Sequence, residues 1–341
     1  MNKTFLYIVF CWLCAPLFAQ TIPESENLVP NGSFEEYNWC PYQDVQGGVD
    51  AFYITACKYW TMPTQGSSDY FNACSTQYDY MLDRYLFSVP ENYIGYQYAR
   101  TGNAYAGLAY TDMYYPLETD NTYSEYIQVQ LKEKLEKNKS YNLTFYISNA
   151  FDNVCGNSIG AYFSPIELDI NTENHLDVTP HYQSDLNFFF CDSVEWFKHE
   201  YKFIADGTEE YLIIGVFTHL LESQTSDYFG NIISGPNKDD YGAVAYYYID
   251  DVSLVETNYI IPNVFTPNDD GVNDLFTLRG IPEEFNFVIL NRWGNVVFET
   301  NNPNQEFWDG THKGEKCTDG VYFYKLVKDD FKKNGFIHLI R

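Results

Sequence analysis

PNVFTPNDDGVND (residues 262–274), NRWGNVVF (291–298), WDGT (308–311) and DGVYFY (319–324) are the stretches that decide the fold of the C-terminal part of the chain. In each of them, turn residues stand beside a run of aliphatic and aromatic residues. The Asn-Asp-Asp-Gly and Thr-Asp-Gly sequences supply the positive φ angles that tight turns between strands require. The four stretches therefore predict a small antiparallel β-sandwich over residues 258–341.

In this order and at this spacing, the four stretches resemble the type B C-terminal sorting domain of proteins exported by the type IX secretion system, also called the gliding motility-associated C-terminal domain. The resemblance implies an Ig-like β-sandwich that acts as an export address and has no catalytic residue. It also implies that the preceding residues are cargo, carried across the outer membrane of a Gram-negative, gliding-type bacterium. The implied partners are the secretion machinery and an outer-membrane partner of this domain.

The N-terminal residues agree with export. Residues 5–15 are an apolar run that follows Lys3, and cleavage is expected after Ala19 or Gln20. Residues 1–20 are therefore predicted to be a secretory signal peptide. After residue 20 no run reaches the roughly 18 apolar residues that a membrane helix needs. We expect a soluble mature protein that passes through the periplasm and is secreted or held at the outer cell surface.

Composition favours an all-β chain with an acidic cargo. The sequence has 32 Tyr and 26 Phe among 341 residues, which suits strands. Residues 21–257 carry 35 Asp and Glu against 10 Lys and Arg, a net charge of about −25, and residues 258–341 carry 12 against 9, about −3. The negative electrostatic potential of such a surface repels phosphate backbones, which argues against a nucleic-acid partner. The acidic surplus is compatible with bound calcium and equally with simple solubility.

Six cysteines remain after removal of the signal peptide. Five of them, the disulfide candidates of the first domain, are Cys40, Cys57, Cys74, Cys155 and Cys191, and the sixth is Cys317. An even number in an oxidising compartment predicts disulfides, and sequence alone does not choose the pairing. The odd number in the first domain leaves two alternatives, which are two free thiols or one bridge between the domains. No pair has the close spacing of a zinc site.

Residues 21–257 are predicted to form period-2 strands separated by turns. Leu143, Phe145 and Ile147 alternate with polar residues, and similar patterns along the chain predict about eight strands of a β-sandwich. The opening stretch NLVPNGSFE (27–35) and the closing stretch YYYIDDVSL (246–254) are similar to those of the galactose-binding-like jelly roll of carbohydrate-binding modules. That resemblance implies an all-β chain, with an N-terminal jelly-roll β-sandwich before the Ig-like one.

In such jelly rolls a structural calcium often lies between a glutamate of the first strand and an aspartate of the last. The matching positions are Glu35 and Asp250. Asp250 is in phase with Val252 and Leu254, so strict alternation points its carboxylate inward with the core. A buried carboxylate needs a partner, and its hard oxygen atoms suit calcium. The alternative is an aspartate at a solvated strand end, or one that accepts backbone hydrogen bonds.

Three tryptophans are candidates for stacking on a sugar ring. Trp196 shares the outward phase of its strand with Lys198, and Trp60 and Trp39 lie in loop-rich sequence. A flat aromatic face suits the apolar side of a pyranose, while nearby polar groups bind its hydroxyls. The alternative for each tryptophan is that it caps an edge of the core.

Signatures of catalysis are missing from the sequence. It contains no Gly-x-Ser-x-Gly elbow, His-Glu-x-x-His helix, phosphate loop or dinucleotide fingerprint. We therefore expect a non-catalytic surface protein with a glycan-binding or adhesive module. The alternatives are a structural cell-envelope protein without sugar binding, and a polysaccharide-degrading enzyme.

Overall fold

The computed structural model of the chain describes residues 27–43, 51–111, 123–150, 155–218, 225–226, 244–278, 280–281, 285–303, 306–328 and 331–341. The predicted signal peptide, residues 1–20, lies outside the described residues. Within them the fold is all-β, as predicted, and the helical structure is one 3-10 turn, Ile54–Ala56.

We call residues 21–257 the cargo part, and its described residues form fifteen strands. In chain order they are β1 (Trp60–Thr61), β2 (Asp69–Asn72), β3 (Tyr78–Asp79), β4 (Arg84–Tyr85), β5 (Ala104–Thr111), β6 (Tyr123–Ser124), β7 (Tyr126–Gln130), β8 (Ser140–Asn149), β9 (Cys155–Gly156), β10 (Gly160–Ser164), β11 (Tyr182–Gln183), β12 (Phe197–Ile204), β13 (Tyr211–Gly215), β14 (Thr225–Ser226) and β15 (Val244–Thr257).

Two antiparallel sheets share the main core of the cargo part. One has the strand order β1-β7-β13-β10-β11, and the other has the order β12-β8-β15-β5-β2 with β6 beside β5. Leu143, Phe145 and Ile147 of β8 are buried in the same cluster as Ile127 of β7 and Ile214 of β13. The alternation seen in the sequence thus marks the inner faces of a β-sandwich.

The outer face of the six-stranded sheet is covered as well. Phe71, Tyr105 and Tyr248 form a second buried cluster on that face, and their rings meet at centroid distances of 4.6–5.7 Å. Residues 73–103, between β2 and β5, supply the side chains that pack on it, including buried Phe87. We call residues 73–103 the cover. It contains the short hairpin of β3 and β4.

Strand β15 changes phase at a β-bulge after Asp250, where Asp251 has a φ of 51°. Ile249 before the bulge and Val252 after it both face the main core. Asp250 therefore lies on the outer side with Tyr248, under the cover. The predicted inward orientation of Asp250 is wrong, because the bulge inserts a residue into the alternation on which that prediction depends.

The C-terminal part has a sheet and a core of its own. Its strands are β16 (Val264–Phe265), β17 (Asn286–Leu290), β18 (Val296–Thr300), β19 (Thr311–His312), β20 (Glu315–Lys316), β21 (Gly320–Lys328) and β22 (Phe331–Leu339). Five form a sheet of order β16-β22-β21-β17-β18, in which β16 pairs parallel with β22 and the other pairs are antiparallel. Phe276, Phe285 and Trp308 close the inner face of this sheet together with Phe287 and Leu326.

Candidate functional site

Trp196 lies directly before β12, at the edge of the covered face. Its indole Nε1 donates a hydrogen bond to the carbonyl oxygen of Tyr98 at 3.2 Å, and its ring meets Tyr105 edge-on at 6.1 Å. The side chain is half-buried against the second cluster. The strand thus sets the position of the ring, and the bond to the cover fixes its orientation.

Two exposed tyrosines of the cover accompany Trp196. Tyr96 and Tyr98 are 57% and 64% exposed, their rings are perpendicular at 5.6 Å, and their hydroxyl oxygens are 3.0 Å apart. Gln97 between them is buried, and its amide donates to Ser148 Oγ at 2.5 Å and to the Val194 carbonyl at 3.2 Å. We call Tyr96, Tyr98 and Trp196 the aromatic edge. Gln97 holds it against the sheet.

Charged groups lie close to the aromatic edge. The guanidinium of Arg100 is centred 3.4 Å from the ring centroid of Tyr146 and forms an ion pair with Asp251. Glu195, next to Trp196, is exposed. The region therefore combines aromatic rings with carboxylate, guanidinium and hydroxyl groups, which are the components that a sugar site needs.

The other two candidate tryptophans differ sharply in exposure. Trp60 is only 1% exposed, its Nε1 donates to the carbonyl of Asn31 at 3.0 Å, and its ring lies 4.8 Å from Phe34. It is a core residue and presents no face to a ligand, which corresponds to the alternative of a core tryptophan, so its assignment as a stacking candidate is wrong. Trp39 is 42% exposed and donates to the carbonyl of Ala51 at 3.0 Å.

The opening and closing stretches of the cargo part meet, as the resemblance to galactose-binding-like jelly rolls implies. The amide of Leu28 donates to the carbonyl of Leu254 at 2.8 Å, and the amide of Val252 donates to Gly32 at 2.8 Å. Glu35 lies in the irregular segment that follows this contact and not in a strand.

Glu35 and Asp250, the predicted calcium ligands, hold one loop of the cover from two ends. Glu35 Oε1 accepts the amides of Asn103 at 2.7 Å and Ala104 at 3.1 Å, and Asp250 Oδ2 accepts those of Arg100 at 2.8 Å and Thr101 at 3.2 Å. Burial, and then the neighbouring Asp251, raise the pKa of Asp250 well above its ordinary value. This arrangement corresponds to the alternative of carboxylates that accept backbone hydrogen bonds.

These two carboxylates supply only part of the shell of a calcium ion, which takes six to eight oxygen ligands. Among the described residues, no group of three or more His, Cys, Asp and Glu side chains converges as a metal site. The pair therefore fits calcium only with backbone oxygens as further ligands, and the calcium prediction stays a prediction.

A pair of buried carboxylates, Asp69 and Glu125, was not predicted from the sequence. Each is 3% exposed. Asp69 Oδ2 accepts the hydroxyls of Tyr93, at 2.7 Å, and of Tyr246, and Glu125 Oε2 accepts the amide of Ala109 at 2.7 Å. Burial, and then the charge of Glu125, raise the pKa of Asp69 to about 8. The pair is closed to substrates and ties β2 to the cover and to β15.

Two disulfides form, and both lie within the cargo part. Cys40 and Cys74 are joined with an S–S distance of 2.10 Å, and Cys155 and Cys191 with one of 2.12 Å. The first bridge ties the N-terminal segment to the start of the cover. The second ties β9 to the loop before β12.

Cys57 and Cys317 are free, which selects the alternative of two free thiols. The sequence made Cys57 a disulfide candidate, and that expectation is wrong. Its thiol is buried and accepts a hydrogen bond from Asn31 Nδ2 at 3.1 Å, while its own S–H points to the Glu36 carbonyl at 3.4 Å. Burial raises the pKa of Cys57 far above its ordinary value, which leaves the thiol unreactive.

A cavity of about 400 Å³ lies beside the loop between β12 and β13. It brings aromatic rings together with carboxylates, lysines and a histidine. Its lining includes Tyr201, Phe203, His181, Asp206, Glu209, Lys137, Phe285, Lys328 and Phe331. Sequence reasoning missed it because its walls come from both parts of the chain.

For the described residues, no helix has the length and apolar character that crossing a membrane demands.

Known proteins are similar to parts of this chain. No curated protein matches the sequence. Among solved structures, PorZ, a surface component of the type IX secretion system of Porphyromonas gingivalis, is 17% identical over 27% of this chain, with a TM-score of 0.21. The match spans only 14% of the PorZ chain.

Two further solved structures align with about half of the chain. A family 16 carbohydrate-binding module is 15% identical and covers 46% of this chain and 80% of its own, with a TM-score of 0.23. The K3 cleaved adhesin domain of Lys-gingipain from Porphyromonas gingivalis W83 is 12% identical and covers 46% of this chain and 74% of its own, with a TM-score of 0.24.

The C-terminal part also matches a family model. Residues 259–339 match the CHU_C type IX secretion signal domain, which confirms the resemblance identified from the four sequence stretches. The two disulfides of the cargo part are consistent with a location outside the cytoplasm. The chain therefore carries a type IX secretion signal domain at residues 259–339, and this domain implies interaction with the type IX secretion machinery and export to the cell surface or beyond.

Proposed function

We propose that the cargo part is a non-catalytic, surface-exposed module that binds glycans at the aromatic edge. The single observation that supports this function is the set of exposed Tyr96 and Tyr98 with half-buried Trp196, which the hydrogen bonds of Gln97 and of the Trp196 indole hold against the sheet. A preorganised aromatic surface loses little side-chain entropy when a sugar stacks on it. We expect Asp251, Arg100 and the tyrosine hydroxyls to supply polar contacts to sugar hydroxyl groups.

A glycan array with the full chain tests this proposal. Trp196→Ala and Tyr98→Ala are each expected to weaken binding about tenfold or more, because a stacking surface is lost. Tyr80→Ala removes an exposed tyrosine outside the aromatic edge and is expected to bind as wild type. Silence of the wild-type chain across the array would contradict glycan binding. Loss of binding in Tyr201→Ala but not in Trp196→Ala would move the site to the cavity beside β12.

A second candidate function is adhesion to another envelope protein. The hairpin of β3 and β4 carries Tyr80, Met81 and Leu82 at its tip, and all three are exposed. A cluster of exposed apolar side chains is typical of a protein contact. A pull-down from outer membranes, lost in Met81→Ser and kept in Trp196→Ala, would support this function over glycan binding.

The proposal that the module is non-catalytic has its own test. Incubation of the chain with a broad panel of polysaccharides is expected to release no reducing ends. Release from one polymer would favour the alternative of a polysaccharide-degrading enzyme.

A further inference from the structure

The outer face of the signal-domain sheet carries a continuous apolar row across four strands. Phe336 of β22 pairs with Phe323 of β21, Phe323 pairs with Leu290 of β17, and Leu290 pairs with Val296 of β18. In the neighbouring row, Val264 and Val321 flank His338. We call this surface, made of Val264, Leu290, Val296, Val321, Phe323 and Phe336, the apolar face.

The apolar face is open to solvent. Phe323 and Phe336 are 47% and 48% exposed, and Val264, Val296 and Val321 are exposed too. An antiparallel sheet with one buried face normally presents polar side chains on the other. Strand β12 of the cargo part follows this rule with Lys198 and Lys202 on its outward phase. The outward phenylalanines of the signal domain do nothing for its own core, and a contiguous exposed apolar surface is typical of a protein-binding site.

Charge distinguishes the kind of partner. On the next row of the face, Lys325 of β21 pairs with Asn334, and the row ends at Glu299 of β18; Lys332 lies further along the same outward phase of β22, so the basic groups are at the β21–β22 side. The signal domain has a net charge of about −3, in contrast to about −25 for the cargo part. A partner with an apolar patch and an acidic rim would complement the face and would be repelled by the cargo part.

The inner side of the sheet is already occupied. Ile204 of β12 and Tyr259 pack against the signal-domain core together with Phe331. The cargo part therefore contacts the core side, and the apolar face is available to a separate molecule. A glycan is a poor occupant, because the apolar row offers few polar groups to sugar hydroxyls.

From these observations we propose that the apolar face is the surface by which a protein of the type IX secretion machinery recognises the chain. The proposal rests on export through the signal domain. The bound surface of the partner is apolar at its centre, where it receives Phe323 and Phe336, and acidic at its rim, where it meets Lys325 and Lys332.

The test is the export of full-length variants in a host with a type IX secretion system. The double variant Phe323→Thr, Phe336→Thr keeps strand-forming residues on the outward phase. It is expected to lower the fraction of chain at the cell surface about tenfold. Lys325→Glu is expected to lower it less. The matched controls Tyr42→Thr, at a side chain 48% exposed, and Lys316→Glu, both outside the face, are expected to export as wild type.

Thermal unfolding of each purified variant separates recognition from folding. The double variant is expected to have the same melting temperature as the wild-type chain. Normal export of that variant would overturn the role of the face. The same conclusion would follow if the wild-type chain forms a dimer and the variant loses the dimer but is exported normally. If Phe323→Thr, Phe336→Thr fails to fold, Lys325→Glu alone decides, and its normal export would overturn the proposal. Normal export of a chain that ends at Thr257 would instead contradict export through the signal domain.

Discussion

The two parts of the molecule treat the outer faces of their sheets in opposite ways. In the cargo part, Phe71, Tyr105 and Tyr248 point outward from the six-stranded sheet, and the cover buries them. In the signal domain, Phe323 and Phe336 point outward from the five-stranded sheet and stay exposed.

The difference depends on the connections between strands. Residues 73–103 separate β2 from β5, which pair directly, so this long segment is free to return over the sheet. Strands β21 and β22 pair from Lys328 and Phe331 onward, and the connection between them is too short to reach the face. Outward aromatic residues therefore stabilise the cargo fold, whereas those of the signal domain leave a surface for another molecule.

The largest expected effect on stability comes from truncating an outward aromatic residue under the cover, in comparison with one on the exposed face of the signal domain. Phe71→Ala is expected to lower the free energy of unfolding by about 3–5 kcal/mol, because it leaves a cavity under the cover. Phe323→Thr is expected to change it by less than about 0.5 kcal/mol. Denaturant unfolding of both variants measures this contrast. Equal losses of unfolding free energy in the two variants would contradict the difference between the covered face and the exposed face.

Removal of the bridge that anchors the cover is expected to have the next largest effect. The double variant Cys40→Ser, Cys74→Ser opens a loop closed over a sequence separation of 34 residues. The unfolded chain then gains entropy, and the expected loss is about 2–4 kcal/mol. Cys317→Ser, at a free and half-buried thiol, serves as the control and is expected to stay close to wild type. An unchanged midpoint in the double variant would show that the cover is held without the bridge.

The pH dependence of stability tests the carboxylate under the cover. The pKa of Asp69 is raised from 3.8 to about 8, so the folded chain retains a proton that the unfolded chain releases. The contribution of Asp69 to stability therefore falls as pH rises from about 4 to about 8, and it is constant outside that window.

Asp69→Asn mimics the neutral carboxyl and is expected to remove this slope. The melting temperature of wild type relative to Asp69→Asn should fall by about 4–8 °C between pH 6 and pH 8, because a folded pKa of about 8 corresponds to a loss of about 2 kcal/mol over that interval. Glu133→Gln, at an exposed carboxylate, is the control. Parallel curves for wild type and Asp69→Asn would contradict a protonated Asp69.

Calcium is expected to give the smallest effect. An ion held by Glu35 and Asp250 would tie the cover to β15, and 1 mM calcium would then stabilise the chain relative to EGTA by about 0.4–1.4 kcal/mol, the range of extracellular sites. Glu35→Gln should abolish the shift. Identical wild-type midpoints in calcium and EGTA would remove the calcium prediction.

Local sequence patterns were sufficient to predict much of the fold. The alternation of Leu143, Phe145 and Ile147 placed β8 correctly, since the side-chain period of a strand is a local property. The orientation of Asp250 was predicted wrongly, because alternation in the sequence does not reveal the β-bulge that follows this residue. Trp60 looked like a loop residue, but β1 and its bond to Asn31 bury it, and these contacts depend on distant segments.

The candidate site was predictable only in part. The outward phase of Trp196 could be read from its strand, but its bond to Tyr98 joins residues 98 positions apart in the chain. The interaction of Asp69 with Glu125 likewise joins separate segments. Asp69 opens a four-residue strand that is buried throughout, and a carboxylate beside Tyr70 and Phe71 was the available signal.

Residues 258–341 are expected to act as an export signal apart from the cargo. The most direct measurement compares the location of the full chain with that of a chain ending at Thr257, in a host with a type IX secretion system. The full chain should reach the cell surface, and the shortened chain, with its cargo core complete, should remain folded in the periplasm. Recovery of the shortened chain at the surface in the wild-type amount would contradict the claim.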